Sequence, residues 1–460
     1  MRGRAAVMAM ACVAAAACHS GPARARPEVA LPEAFRGAPP ATAARLAEVK
    51  WGELFEDEEL QALLRTAAAQ NDDIRIAAAR VAQAQAVVGI ARASQFPSLG
   101  AEVQAGGQRT PALGSSEAKT AAAVAVRGRA AWELDFWGRY RRESEAARAR
   151  LLGSEWAQRE VMAGLVSRVA EGYFALRALD LELDVSRRAL ASRRESLDLA
   201  RIREQGGATS LVDVRQAEQL VYSAAATIVD LEGRIEQQEN LLSLLTGGMP
   251  GVIARGRALT AQPHTPEVPA GLPSDLLARR PDIQAAEQDL RAANAEVGVA
   301  RAAYFPSITL TGSGGAQSTA LGALFSAGAG AWSAVAGLAQ PIFTAGRTRS
   351  QVALAEARRA EAAVGYQRTV KGAFRDVSDA LAGYRTSRGF REQQELLVAA
   401  AQDGRRLADI RYRGGATSYL EVLDAETRLL NAELALATAR LSELDGFVEV
   451  YRSLGGGWQR

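Results

Sequence analysis

The chain has 460 residues, 48% hydrophobic, 23% charged and only 6% aromatic, with a formal net charge of +3. That is the composition of an ordered protein, long enough for two or three ordinary domains. Acids and bases alternate along its length with no polybasic or aromatic-basic block, which argues against a nucleic-acid partner.

The only cysteines are Cys12 and Cys18, and the only histidines are His19 and His264. Zinc sites, thiol nucleophiles, disulfide frameworks and Ser-His-Asp triads all need more than that. The chain is therefore read as a non-enzyme, with no catalytic residue, no metal ligands and no cofactor beyond a covalent lipid.

At the N-terminus, Arg2 and Arg4 precede an apolar run from Ala5 to Ala17. A charged start followed by about a dozen apolar residues is a secretory signal, too short for a permanent bilayer span of about 20 residues. The run ends Ala15-Ala16-Ala17-Cys18 and resembles a lipoprotein signal. Residues 1–17 are then removed and Cys18 is acylated at the head of an extension over 18–50. Ordinary cleavage at an Ala-x-Ala site is the alternative. His19 is not aspartate, so the signal for retention in the inner membrane is missing and the outer membrane is the expected destination.

A first helix is expected over Glu58–Gln95. The period then switches to two. Leu99, Ala101, Val103 and Ala105 alternate with Ser98, Gly100, Glu102 and Gln104. Ala122 through Phe136 alternates in the same way against Ala125, Arg127, Arg129, Glu133 and Asp135. From Arg139 to Glu204 there is no proline, and apolar residues recur every seven: Met162, Val169, Leu176, Leu183, Leu190 and Leu197. A sustained seven-residue repeat means helices packed along a narrow seam. At 1.5 Å per residue this arm spans on the order of 100 Å. Gly206 and Gly207 end it, because glycine supplies the left-handed residue that closes a helix. The return arm, Leu211–Leu245, carries Val214, Val221, Ile228, Ile235 and Leu242.

The second half repeats the first. Residues 200–218 (ARIREQGGATSLVDVRQAE) match residues 408–426 (ADIRYRGGATSYLEVLDAE), and ARASQFPSL from Ala91 matches ARAAYFPSI from Ala300. The first repeat is placed at 51–255, with strands about 97–136 and a hairpin over 139–245. The second is placed at 256–460, with strands about 305–343 and a hairpin over 344–454. Its elements are a helix over Pro281–Tyr304, a strand through Ile308, Leu310 and Gly312, a strand about Gly330–Gln340, and arms over Thr344–Arg413 and Ser418–Leu454. The seam residues Val422, Leu429, Leu436 and Val450 are interrupted by Glu443. Thr311-Gly-Ser-Gly-Gly315 lacks a phosphate loop's lysine and sits in a strand pattern, so it is not read as one.

Strands of about ten residues with one apolar face suit a membrane barrel, as they also suit a half-buried soluble sheet. The outer-membrane address favours the barrel. Four strands cannot close one, and an open edge in lipid is not viable, so the chain is expected to oligomerise.

Signal, duplication, two strand pairs, two long hairpins, LARRPDI at Leu277–Ile283 and the paired GGATS tips together resemble the TolC family. The similarity is to its lipoprotein ducts serving resistance-nodulation-division pumps. It implies a mainly α fold with membrane β, in which coiled-coil hairpins form a periplasmic α-barrel. The four strands of each chain contribute to a trimeric, twelve-stranded barrel in the Gram-negative outer membrane. It also implies a homotrimer whose tips (Gly206, Gly207, Gly414, Gly415) dock a periplasmic adaptor linked to an inner-membrane transporter. The function it implies is an exit duct for small apolar or amphipathic compounds.

By the same resemblance, Glu421 and Asp424 match acidic rings at the periplasmic aperture. Asp213 matches an acid that ties neighbouring hairpins, and Tyr412 an aromatic in the closing network. Thr417 stands where an arginine can join that network, leaving Arg411 or Arg413 as substitutes. Acids in a helix's first turns also cap it and favour its dipole, so capping remains an alternative reading. Other functions left open are type I protein secretion, metal-ion efflux and a non-conducting coiled-coil lipoprotein.

Overall fold

A computed structural model describes residues 27–32, 34–36, 49–110, 119–262 and 273–459. The signal run, Cys18, His19 and His264 lie outside the described residues. The helices are α1 (Trp51–Leu54), α2 (Glu58–Gln70), α3 (Asp72–Ala93), α4 (Arg139–Gln205) and α5 (Leu211–Leu245), then α6 (Pro273–Arg279), α7 (Pro281–Ala302), α8 (Arg347–Arg413) and α9 (Tyr419–Ser453). The strands are β1 (Ser98–Thr110), β2 (Lys119–Glu133), β3 (Ser307–Ser318) and β4 (Gly330–Ala339).

One expected helix is two. The stretch Glu58–Gln95 breaks at Asn71, between α2 and α3. The buried Asn71 amide donates to the Leu245 carbonyl at 2.9 Å, and its Oδ1 accepts from the Ile74 N–H at 3.2 Å. A side chain that captures the next turn's N–H competes with helix continuation.

The described chain divides into two compact units, and each draws on both repeats. One holds Arg80–Glu155 with Ala285–Gln367 and contains the sheet. Its strands run antiparallel in the order β1-β2-β3-β4. The β2–β3 pairing joins the two repeats, with Arg127 opposite Gly315 and Arg129 opposite Ser313. Register sorts most side chains, with Arg109 on the apolar face and Val335 on the polar face as exceptions. One face carries Leu99, Val103, Val126, Trp132, Leu310, Trp332 and Leu338, all exposed. The other carries Glu102, Gln104, Arg127, Arg129, Thr309, Thr311, Ser313, Gln317 and Ser333. At Gly315 a Cβ would fall 2.0 Å from the Val126 carbonyl oxygen, so β3 can approach β2 this closely only with glycine there.

The other unit holds Val29–Ala79, Trp156–Gln284 and the chain from Arg368 onward. Its largest core packs α1–α3 against the hairpins through Trp51, Phe55, Leu60, Leu64, Val169, Tyr173 and Tyr451. Each such side chain contributes about 2 kcal/mol on burial. Asp57 caps α2 and binds well beyond it. Its carboxylate accepts from the Tyr173 hydroxyl (3.1 Å), the Arg257 N–H (2.8 Å) and the Gln262 amide (3.0 Å). The seven-residue seams are buried or half-buried as read. Glu443, the expected interruption, is buried on the same seam and paired with Arg391.

Candidate gate at the hairpin tips

Both hairpins turn by the same backbone device. In the first, Gly207 N–H donates to Glu204 O (2.9 Å) and Ala208 N–H to Arg203 O (2.8 Å); in the second, Gly415 donates to Tyr412 O (3.0 Å) and Ala416 to Arg411 O (2.9 Å). Gly207 and Gly415 have φ of 70° and 72°, the left-handed conformation that closes a helix. Gly206 and Gly414 have ordinary φ, and a Cβ on either would meet no atom closer than 3.4 Å. The second glycine of each pair makes the turn.

The acids beyond the turns begin as caps. Asp213 accepts from the Thr209 and Ser210 hydroxyls and, at 3.2 Å, from the Ser210 N–H. The Thr209 hydrogen bond holds its carboxyl below the usual range; burial opposes it, and weaker hydrogen bonds from the Ser210 N–H and hydroxyl add to the fall. Glu421 occupies the equivalent place 208 residues later and takes the Thr417 hydroxyl. It also reaches Arg411 at 3.6 Å, so of the two candidate arginines Arg411 meets this acid. Arg413 turns back to Asp409 at 3.0 Å. Asp424 pairs with Arg428 at 2.7 Å. Glu421 and Asp424 are both largely exposed, so their charges face solvent within one chain.

Within one chain the Tyr412 hydroxyl is buried without a hydrogen-bond partner among the described residues and makes none to Asp213. The side chain lies between the hairpins, its ring 5.2 Å from Tyr419 and beneath the Arg203 guanidinium at 4.2 Å. The surrounding core takes Leu197, Ala200, Val214 and Val422 from both hairpins. Arg203 and Arg411 occupy equivalent positions in the two copies, yet one stacks on an aromatic ring and the other meets a carboxylate.

Deeper along the same hairpins lies a polar joint that the residue pattern did not disclose. Glu426 is buried and accepts from Ser192 (3.3 Å) and Ser196 (3.1 Å) on α4. Arg405 on α8 donates to Ser192 at 2.7 Å and stands 4.0 Å from Glu426. Arg193, also buried, donates to the Leu220 carbonyl at 3.0 Å. Burial lowers the Arg193 pKa, and the Glu426 charge works against that fall. Burial, then the Glu426 charge, keeps the Tyr419 hydroxyl protonated. Ser192, Arg193, Arg405 and Glu426 line a cleft of about 230 Å³. A buried charge held by hydroxyls and a marginal ion pair is an arrangement that a small hairpin shift can rebuild.

A family model described as outer membrane efflux protein matches residues 63–248 and 272–456, one match in each half of the chain. A toluene efflux pump outer membrane protein of Pseudomonas putida, TtgC, is 39% identical over 90% of this chain and 86% of its own length. The cation efflux system protein CusC of Escherichia coli is 33% identical over 98% of both chains. The open-state crystal structure of the Neisseria gonorrhoeae MtrE outer membrane channel superposes with a TM-score of 0.86 at 32% identity, covering 96% of this chain and 98% of that one. With the four-stranded sheet and twin hairpins, these matches place the chain in the outer membrane efflux protein family, as an outer-membrane exit duct for efflux.

Proposed function

We propose that three copies of this chain form the outer-membrane duct of a tripartite pump, passing small apolar or amphipathic compounds outward. The observation that carries this reading is the sheet. Its four strands expose one strongly apolar face and, among the described residues, leave β1 and β4 as unpaired edges. Lipid tolerates the face but not the edges, and closure with other copies removes them. Three copies supply twelve strands. Cys18 anchors each chain by lipid, and the tips meet a periplasmic adaptor that links to an inner-membrane transporter. Glu421 and Asp424, repeated by the symmetry, narrow the periplasmic aperture and favour cations there.

Deleting the gene tests this when susceptibility to apolar dyes, detergents, antibiotics and metals is measured, with secreted proteins assayed in parallel. Hypersensitivity to several unrelated apolar compounds, restored by the intact gene, is the expected result. Sensitivity confined to metal ions moves the cargo to that of the cation efflux relative. A lost secreted polypeptide with unchanged susceptibility moves it to protein export. Labelling with palmitate that survives Cys18→Ser removes the anchor from the reading.

A further inference from the structure

The charges on the polar face of the sheet are unevenly paired. Glu102 stands opposite Arg127 in the β1–β2 register, yet its carboxylate goes to the Arg129 Nε at 2.7 Å. Glu133, the next acid on that face, takes the Tyr140 hydroxyl at 2.8 Å and Arg139 at 3.6 Å. Arg127 turns the other way and donates to the side-chain oxygen of Gln317 on β3, a neutral partner. Among the described residues of this face, then, Arg129 has a carboxylate partner and Arg127 has none. Its neighbour on β3 is Gly315, where no side chain can stand.

We propose that Arg127, repeated around the assembled barrel, forms a cationic belt in the lumen that admits anionic and neutral cargo more readily than cations. This rests on the reading that the polar face of the sheet lines an aqueous lumen. A ring of like charges between low-dielectric walls sets the local concentration of mobile ions, and each additional copy adds to the field. The belt is opposite in sign to the acids at the hairpin tips. It gives the duct a second selection step with its own preference, made by a residue on the β-sheet. The chemical class it favours is the amphiphile bearing a carboxylate, sulfonate or phosphate, with uncharged compounds indifferent to it.

The test reads local potential directly. Gln104 lies on the same face, exposed, diagonal to Arg127 across β1–β2 and roughly 7 Å from it. A Gln104→Cys protein, assembled and full-length, is treated with an anionic methanethiosulfonate (sulfonatoethyl) and a cationic one (trimethylammonioethyl). Modification of the peptide containing position 104 is followed by mass spectrometry. The anion-to-cation rate ratio is expected to fall about threefold on adding Arg127→Gln. It should fall further with Arg127→Glu, hold with Arg127→Lys, and shrink at high salt. A reactive thiol whose ratio ignores residue 127 overturns the belt and leaves the duct standing. A thiol at 104 unreactive to both reagents, with a Ser313→Cys thiol equally silent, overturns the aqueous lumen and the belt with it.

Discussion

Glu443 and Arg391 form a 2.7 Å ion pair with side chains only 6% and 8% exposed, on the seam where every other seventh residue of α9 is apolar. Arg391 has a second partner in Glu395 at 2.8 Å, whereas no second cation is paired with Glu443 among the described residues. The two partners are therefore unequal. Arg391→Met, which strands a buried carboxylate, should lower stability by about 3–5 kcal/mol. Glu443→Leu should cost clearly less, and the double variant should recover most of the loss. Unfolding of the detergent-solubilised protein measures all three, and equal losses for the two single variants would contradict the asymmetry.

Glu426 joins hairpins whose tips turn independently. Glu426→Ala removes the acceptor shared by Ser192 and Ser196 and leaves Arg405 without its buried acid. Amide exchange should rise at least several-fold in the peptides holding Ser192 and Tyr419, with Glu426→Gln intermediate because it keeps one acceptor. Exchange unchanged from the native protein would show that the joint holds nothing.

Charge at the tips is separable from capping. Glu421→Ala combined with Asp424→Ala should raise single-channel conductance and weaken cation preference in a planar bilayer. Asp213→Ala should instead fray α5 at a cost of about 1 kcal/mol. Identical behaviour of the double variant and the native channel would take both acids out of the gate.

Asp445 on α9 gives the stability a pH dependence. Burial first, and then the Glu171 charge, pushes its carboxyl up to about 7, and its Oδ1 has no hydrogen-bond partner. Glu171 is itself raised by burial and by Glu449, with Arg452 and Arg168 opposing. Because the folded pKa lies above the unfolded value of about 4, the stabilising contribution is complete below pH 4 and is lost as pH rises through 7. The unfolding temperature should fall from pH 5.5 to pH 8. Asp445→Asn should flatten that slope and stabilise the protein at pH 8 by about 2–3 kcal/mol. A slope unaffected by the substitution would assign it to other groups.

Each tip has two glycines, of which only one is committed to the turn. Gly207→Ala and Gly415→Ala force a Cβ into the left-handed region at about 1–2 kcal/mol each, whereas Gly206→Ala and Gly414→Ala should be nearly neutral. Thermal unfolding of the four variants separates them, and equal effects within a pair would refute the assignment.

The hairpins were legible because their signals are local. The GGATS turns and the seven-residue seams placed Leu211–Leu245 with both ends as observed, and alternation separated the two faces of β1, β2 and β3. Asn71 was not legible, since its capture of the α3 N-terminus depends on the Leu245 carbonyl, which lies far away in sequence. Nor was the joint at Glu426. Glu218, the equivalent residue in the first copy, has a similar local sequence but pairs with Arg201 and Arg215 at 3.0 and 2.7 Å. Local sequence fixes the helix, and only the packed partner decides which of two equivalent glutamates is enclosed. The same divergence separates Arg203 from Arg411.

The bare margins of β1 and β4 bear on how the duct is made. Before it meets other copies, a newly exported chain carries free margins along the 13 residues of β1 and the 10 of β4, where every second residue's N–H and C=O lack a strand partner. It is then a poor guest for lipid and a template for indiscriminate strand addition. Maturation must wait for sister chains, so its rate should climb steeply with the number of copies in transit. A cell making too few would accumulate clients for its periplasmic chaperones and proteases before it accumulated exits.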